Sequence, residues 1–169
     1  MFHIVLLEPE IPSNTGNIGR TCVATGTKLH LIEPLGFRLN EKNLKRAGMD
    51  TGMIWMWKPT LIIKISWRRI LEQKFIWQPP KRQRSIQKVR YEPDCYIMFG
   101  KESAGIPEEI LVQHKEDCIR IPMIGDIRSL NLGNSAAIIC MKRSARTSLQ
   151  AESGGTFTQI KMVKMQEIL

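Results

Sequence analysis

The residues able to do chemistry fall in three short blocks, well separated along the chain. The first, Glu8 to Arg20, holds Asn14 and Arg20 behind a Glu-Pro-Glu-Ile-Pro lead. The second, Met98 to Pro107, sets Lys101, Glu102 and Ser103 between Gly100 and Gly105. The third joins Ile119-Arg120-Ile121-Pro122-Met123 to Ser129-Leu130-Asn131-Leu132. Glycine at 100 and 105 lets a backbone approach a ligand with no Cβ in the way. Taken singly, every one of these residues has a plainer use. Asn14 would cap a helix, Arg20 would be a solvated surface arginine, Glu102 a helix-flanking carboxylate, and the glycines would make turns. Function is carried by the joint pattern.

Thiol, imidazole and metal chemistry find no such support. Cys22, Cys95, Cys118 and Cys140 stand far apart without a Cys-x-x-Cys pair, and His3, His30 and His114 are equally scattered. Reduced, mostly buried thiols and no metal site are expected.

The elements that must position the three blocks follow from apolar runs and their punctuation. His3 to Leu7 is a short apolar run closed by Glu-Pro, the pattern of a buried strand in a parallel sheet. Asn14 opens a stretch in which Ile18, Cys22, Val23 and Ala24 recur at helical spacing, and Gly26 ends it. Lys28 to Ile32 repeats the strand pattern before a second Glu-Pro. This strand-helix-strand unit predicts a parallel sheet, with ligands beyond the carboxyl ends of its strands. Glu41 to Gly48 reads as a short amphipathic helix, after which periodicity is lost until Tyr96. Cys95 to Phe99 reads as a buried strand, Pro107 to Gln113 as a helix begun at an N1 proline, and Cys118 to Ile121 as another strand. From Ser129 the chain runs into an apolar helix through about Cys140.

A length of 169 residues suits a single domain. No apolar run reaches the length of a membrane span and no signal peptide opens the chain, so a cytoplasmic protein is expected. The net charge of +9 invites a nucleic-acid partner. Its distribution is uneven. Residues 51 to 89 hold nine Lys/Arg against one acid, Glu72, together with all four tryptophans, and the rest of the chain outside 141–169 is close to neutral. A solvated or unstructured run accounts for the basic tract 81 to 88 better than an RNA groove does.

Together the three blocks, with Leu31-Ile32-Glu33-Pro34-Leu35-Gly36-Phe37, resemble the signature motifs of the SpoU-type RNA 2'-O-methyltransferases. The resemblance covers about 1 to 50 and 89 to 140, and points to the small single-domain branch acting on the wobble nucleotide of tRNA. It implies an α/β fold, a parallel sheet flanked by helices with a C-terminal trefoil knot, and a homodimer. It also implies S-adenosylmethionine as cofactor, the tRNA anticodon region as partner, and neither metal nor membrane. Donor contacts are implied at Gly100, Ile121 and Ser129, with Leu130 beside them. Ile121 and Leu130 would lie against the adenine faces.

Arg20 is the catalytic residue implied. A ribose 2'-hydroxyl must lose its proton as it is methylated. Guanidinium is a poor general base, so Arg20 is weighted toward clamping the adjacent phosphate and stabilising developing negative charge. Asn14 and Asn131 would order the motif loops, and Glu102 would orient Arg20 or the ribose.

Two segments depart from the family. Asp50-Thr51-Gly52-Met53 stands where relatives continue Asp-Tyr-Trp-Asp, and a single lost nucleotide converts one into the other. Cys140-Met141-Lys142-Arg143 converts, with one inserted nucleotide, to the usual final helix. Residues 51 to about 88 and 141 to 169 therefore read as out of frame. As written, the chain would lack the central strand, a donor contact near Gln78 and the last helix. The alternative function is a catalytically inactive or decayed RNA-binding paralogue.

Overall fold

Every residue of β1 (Phe2–Leu7) is buried, because this strand lies at the middle of a parallel sheet and is covered on both faces. The computed structural model describes residues 2–38, 62–65, 75–77, 84–87, 89–92, 94–125 and 129–146, with the backbone alone for 62–65, 75–77 and 84. The expected helix at Glu41 to Gly48, Gln78 and half of the basic tract 81 to 88 fall outside them.

After β1 the chain forms α1 (Pro12–Ala24) and returns as β2 (Thr27–Ile32), parallel to β1 and in register from Phe2 opposite Thr27 to Leu7 opposite Ile32. The proline at the start of α1 has no N–H to leave unpaired, and Gly26, at φ +62, ends the helix in the left-handed conformation. Beyond β2 come β3 (Ile62–Ile65), β4 (Phe75–Trp77), β5 (Arg84–Ser85) and β6 (Tyr96–Phe99). The main sheet has the order β3-β2-β1-β6-β4, and all its pairs are parallel. The order reverses between β1 and β6, where open parallel sheets leave a crevice at the carboxyl ends of the strands.

β7 (Ile119–Arg120) pairs with β5 in a separate two-stranded ribbon, so the expected strand at Cys118 to Ile121 forms but does not enter the main sheet. The short α2 (Glu108–Gln113) follows Pro107, and α3 (Leu132–Arg146) closes the described chain. Two expectations are corrected. Strands β3 and β4 occupy the stretch without periodicity, and β4 pairs with β6, so departure from the family's residues does not remove strands there. Likewise α3 continues past Cys140, because Ser144 is buried, Arg143 lies 5.2 Å from the centre of the Phe2 ring, and Arg146 donates to the carbonyls of Gln87 and Val89.

Alternation along the strands builds two apolar layers. Phe2, Ile4 and Leu6 of β1 join Leu29, Leu31, Ile97 and Phe99 under α1 and α3, where Ile18, Cys22, Ala136, Ile139 and Cys140 are packed. Val5, Leu7, Ile32 and Met98 face the other side with Ile106 and Cys118. All four cysteines are free and buried, and burial pushes Cys95 and Cys118 up to about 11, which keeps both as protonated core thiols.

Candidate active site

At the carboxyl end of β6 the chain turns through Gly100 to Ile106, and this turn, the start of α1, residues 120–123 and residues 129–132 line a cavity of about 470 Å³. Gly100, Ile121, Ser129 and Leu130, the four expected donor contacts, all line it. Asn14 and Glu102 line it too. The walls combine apolar Phe99, Ile106, Ile121 and Leu130 with the polar backbone of an exposed turn. Volume and lining suit a nucleoside-sized ligand whose flat base needs apolar faces and whose edge needs backbone partners.

One chain of side-chain bonds links the three sequence blocks. Glu102 accepts from Asn14 Nδ2 at 3.0 Å, from the Glu10 N–H at 2.8 Å and from the Ile11 N–H at 3.3 Å. Asn14 Oδ1 accepts from Asn131 Nδ2 at 3.0 Å. Asn131 Oδ1 in turn accepts from the N–H groups of Gly133 at 2.8 Å and Asn134 at 3.3 Å, capping α3. The direction of the chain is chemically forced. A carboxylate can only accept, so Asn14 must turn its NH₂ to Glu102 and its oxygen to Asn131, which leaves the Asn131 oxygen for the helix. Asn14 is therefore not the cap of α1. It sits inside that helix, nearly fully buried, and ties the first block to the other two. Asn14 and Asn131 bond to each other across the two loops, and Glu102 bonds to Asn14 and the Glu10–Ile11 backbone.

The reason for glycine at 100 also differs from the expected one. A Cβ there would lie 2.0 Å from the Gly105 carbonyl carbon and 2.2 Å from the Ile106 nitrogen. The turn closes on itself at that point, with Lys101 and Gly105 exchanging backbone bonds and Gly105 at φ +72. Gly100 thus makes room for its own turn.

Arg20 does not line the cavity. It is exposed on α1, with no hydrogen bond or ion pair to the described residues. Helix geometry explains this. Six residues separate it from Asn14, about 240° around the axis and about 9 Å along it, so one helix cannot turn both to the same space.

Several residues at the site were given no role by the sequence reading. Glu10, whose carboxylate accepts from the Ser103 N–H at 2.9 Å and its hydroxyl at 2.8 Å, is held below the usual carboxylate range by those bonds. Lys101, paired with Glu8 at 2.6 Å, is correspondingly raised. Ser135 and Arg120 also line the cavity. Only proximity in the fold could reveal these contacts, since 93 residues separate Glu10 from Ser103. Elsewhere His3 Nδ1 and His30 Nε2 lie 2.8 Å apart, and Tyr96 stacks on His3 with centroids 4.1 Å apart. Burial holds both imidazoles down to about 4, and neither lines the cavity. Among the described residues no group of three or more side chains is placed to hold a metal ion, and no helix is long and apolar enough to cross a membrane.

The model of the SpoU rRNA Methylase family matches residues 1–141. The chain belongs to the SpoU methylase family. The match stops where the second departing segment begins. Among relatives of this SpoU methylase is the tRNA (cytidine(34)-2'-O)-methyltransferase of Saccharophagus degradans, 43% identical over 148 residues, covering 82% of the chain and 91% of the relative. A solved structure described as "Structural insights into the 2-OH methylation of C/U34 on tRNA" matches at 36% identity with a TM-score of 0.75, over 87% of the chain and 96% of that protein. The AdoMet-bound rRNA methyltransferase of Sinorhizobium meliloti, 20% identical, shares the fold at a TM-score of 0.71, over 86% of the chain and 56% of its own.

Proposed function

We propose that this chain is a tRNA 2'-O-methyltransferase that methylates the ribose 2'-oxygen of cytidine or uridine at the wobble position, with S-adenosylmethionine as donor. The observation that carries the reading is the convergence of Gly100, Ile121, Ser129 and Leu130 on one cavity of about 470 Å³ at the sheet's switch point. S-adenosylmethionine, when bound, supplies an electrophilic methyl group. The residues of the chain do the rest. Ile121 and Leu130 flank the adenine, the backbone at Gly100 and Ser129 takes its polar groups, and Asn14, braced by Glu102 and Asn131, fixes the wall beside the reacting centre.

Arg20, facing outward, meets the RNA rather than the donor. It holds the neighbouring phosphate and stabilises negative charge on the 2'-oxygen as the hydroxyl proton passes to solvent water. The reading includes a single domain over 1–169, a cytoplasmic homodimer, the C-terminal trefoil knot of the family, and recognition of the tRNA anticodon region. The dimer is supported by α3, which exposes Ile138 and Met141 one turn apart. Mass-spectrometric mapping of ribose methylation in tRNA tests the function. Methylation at position 34 present with the gene, absent without it, and absent with Arg20→Ala is the expected result. Unaltered methylation after deletion would remove the proposal.

A further inference from the structure

The turn from Lys101 to Gly105 forms one wall of the cavity, yet Ser103, Ala104 and Gly105 are exposed. Its internal closure is a single backbone exchange, Lys101 N–H to Gly105 O at 3.1 Å and Gly105 N–H to Lys101 O at 2.8 Å. A turn with so little apolar burial takes its position from polar bonds. The loop at residues 8–11 supplies them. Glu8 pairs with Lys101, the Glu10 and Ile11 N–H groups donate to Glu102, and the Glu10 carboxylate accepts both the N–H and the hydroxyl of Ser103. Glu10 therefore gives with its backbone and receives with its side chain, on adjacent residues of the same turn.

The other side of Glu10 is braced. Gly36 donates its N–H to Pro9 O at 3.0 Å, and a Cβ on Gly36 would lie 2.8 Å from the Glu10 Cα. The loop at 8–11 is thus wedged between the 33–37 segment and the cavity turn. Up to this point the frame is fixed by the sheet, where Leu6 pairs with Phe99. Beyond it, the turn is held by these polar bonds to the 8–11 loop and by Asn14.

We infer that Glu10 and Ser103 form a latch that sets the cavity turn at the spacing the methyl donor requires, which makes Glu10 a positioning residue for donor affinity although it does not line the cavity. The inference rests on the donor reading of this cavity proposed above. A latch of this kind acts on binding, because it shapes the donor site without touching the 2'-oxygen or Arg20.

The test is calorimetric titration of the full chain with S-adenosylmethionine and with its demethylated product S-adenosylhomocysteine, alongside steady-state methylation of tRNA. Glu10→Gln, which removes the charge from two bonds, is expected to weaken binding of both compounds by about fivefold to tenfold. Ser103→Ala, which loses one bond, is expected to weaken it about threefold, and Ser103→Thr to restore it. The double variant Glu10→Gln/Ser103→Ala is expected to lose less than the product of the two single losses, since both changes act on the same contact. KM for the donor follows these values, while kcat at saturating donor stays within about twofold and thermal midpoints move little. Ser103 is exposed, so its variants test the latch even where Glu10→Gln folds poorly. Variants that bind like the natural protein, or that lose kcat with KM unchanged, would overturn the latch alone. A natural protein that binds neither compound would remove the donor reading, and the latch with it.

Discussion

Arg20 and the histidine pair show how differently a side chain behaves according to what surrounds it. Arg20 faces solvent, outside the cavity proposed for the donor, so on the proposed reading its removal separates chemistry from cofactor affinity. Arg20→Ala is expected to lower methyl transfer by about a hundredfold or more while the Kd for S-adenosylhomocysteine changes less than about twofold, as read by single-turnover transfer and calorimetry. Loss of donor binding in that variant would mean that the arginine belongs to the donor site. His3 and His30 are buried against each other, and both are held near 4 against an ordinary 6.5. An unfolded chain takes up protons on these rings as pH drops below 6.5, whereas the folded chain resists until about 4. Stability from the pair is thus complete above 6.5 and drains away as pH falls toward 4. Thermal midpoints measured across that window should decline, and His3→Gln, which keeps a hydrogen-bonding group but removes one titrating ring, should shallow the decline. An equal slope in the variant would rule the pair out as its source.

Among the elements, the unit β1-α1-β2 is legible in the sequence because its signals are local: two apolar runs, each closed by Glu-Pro, around a helix ended by Gly26. The strands β3 and β4 are not legible, since their pairing is supplied by β2 and β6 from elsewhere in the chain. The run of α3 to Arg146 is equally hidden, resting on Phe2 and on the carbonyls of Gln87 and Val89. The site divides in the same way. Gly100, Ile121, Ser129 and Leu130, singled out by resemblance, line the cavity while Arg20 does not, and the link from Glu102 through Asn14 to Asn131, and the closure of the turn on Gly100, needed three dimensions. Asn131 joins helix and site in one side chain, which makes its two duties separable. Asn131→Ala should cost about 1 kcal/mol of stability through the lost cap. Asn131→Asp keeps the cap but sets an acceptor against Asn14 Oδ1, and Asn14 cannot turn over without presenting that same oxygen to Glu102. Methyl transfer should therefore fall in both variants, while the thermal midpoint falls chiefly in the alanine one. Full activity in the aspartate variant would show that the link does not matter to the site.

For the whole molecule, the question is what covers the outer face of α3. Buried residues of this helix, Ala136, Ile139 and Cys140, point to the core, yet Ile138 and Met141 remain 38% and 58% exposed beside the short side chains and charges of the last turns. A helix that buries one apolar face and presents a second is suited to packing against another helix, and a second copy of the chain offers the same helix in return. Met141, on the exposed face, is also where the departing segment begins and the family match ends. Resequencing across codons 50 to 53 and 140 to 143 should show one missing and one extra nucleotide relative to the family's frame; an unshifted read there would sink the out-of-frame reading. In the chain as written, Ile138→Glu should convert a dimer to a monomer in sedimentation equilibrium, because a charge at the centre of a helix contact loses its water without gaining a partner. The side chain is exposed in the single chain, so the variant's thermal midpoint, measured at a dilution where the natural protein is also monomeric, should match the natural one. A natural chain that sediments as a monomer at all concentrations would leave this face to some other partner, whereas a dimer that survives Ile138→Glu would place the contact on a different surface.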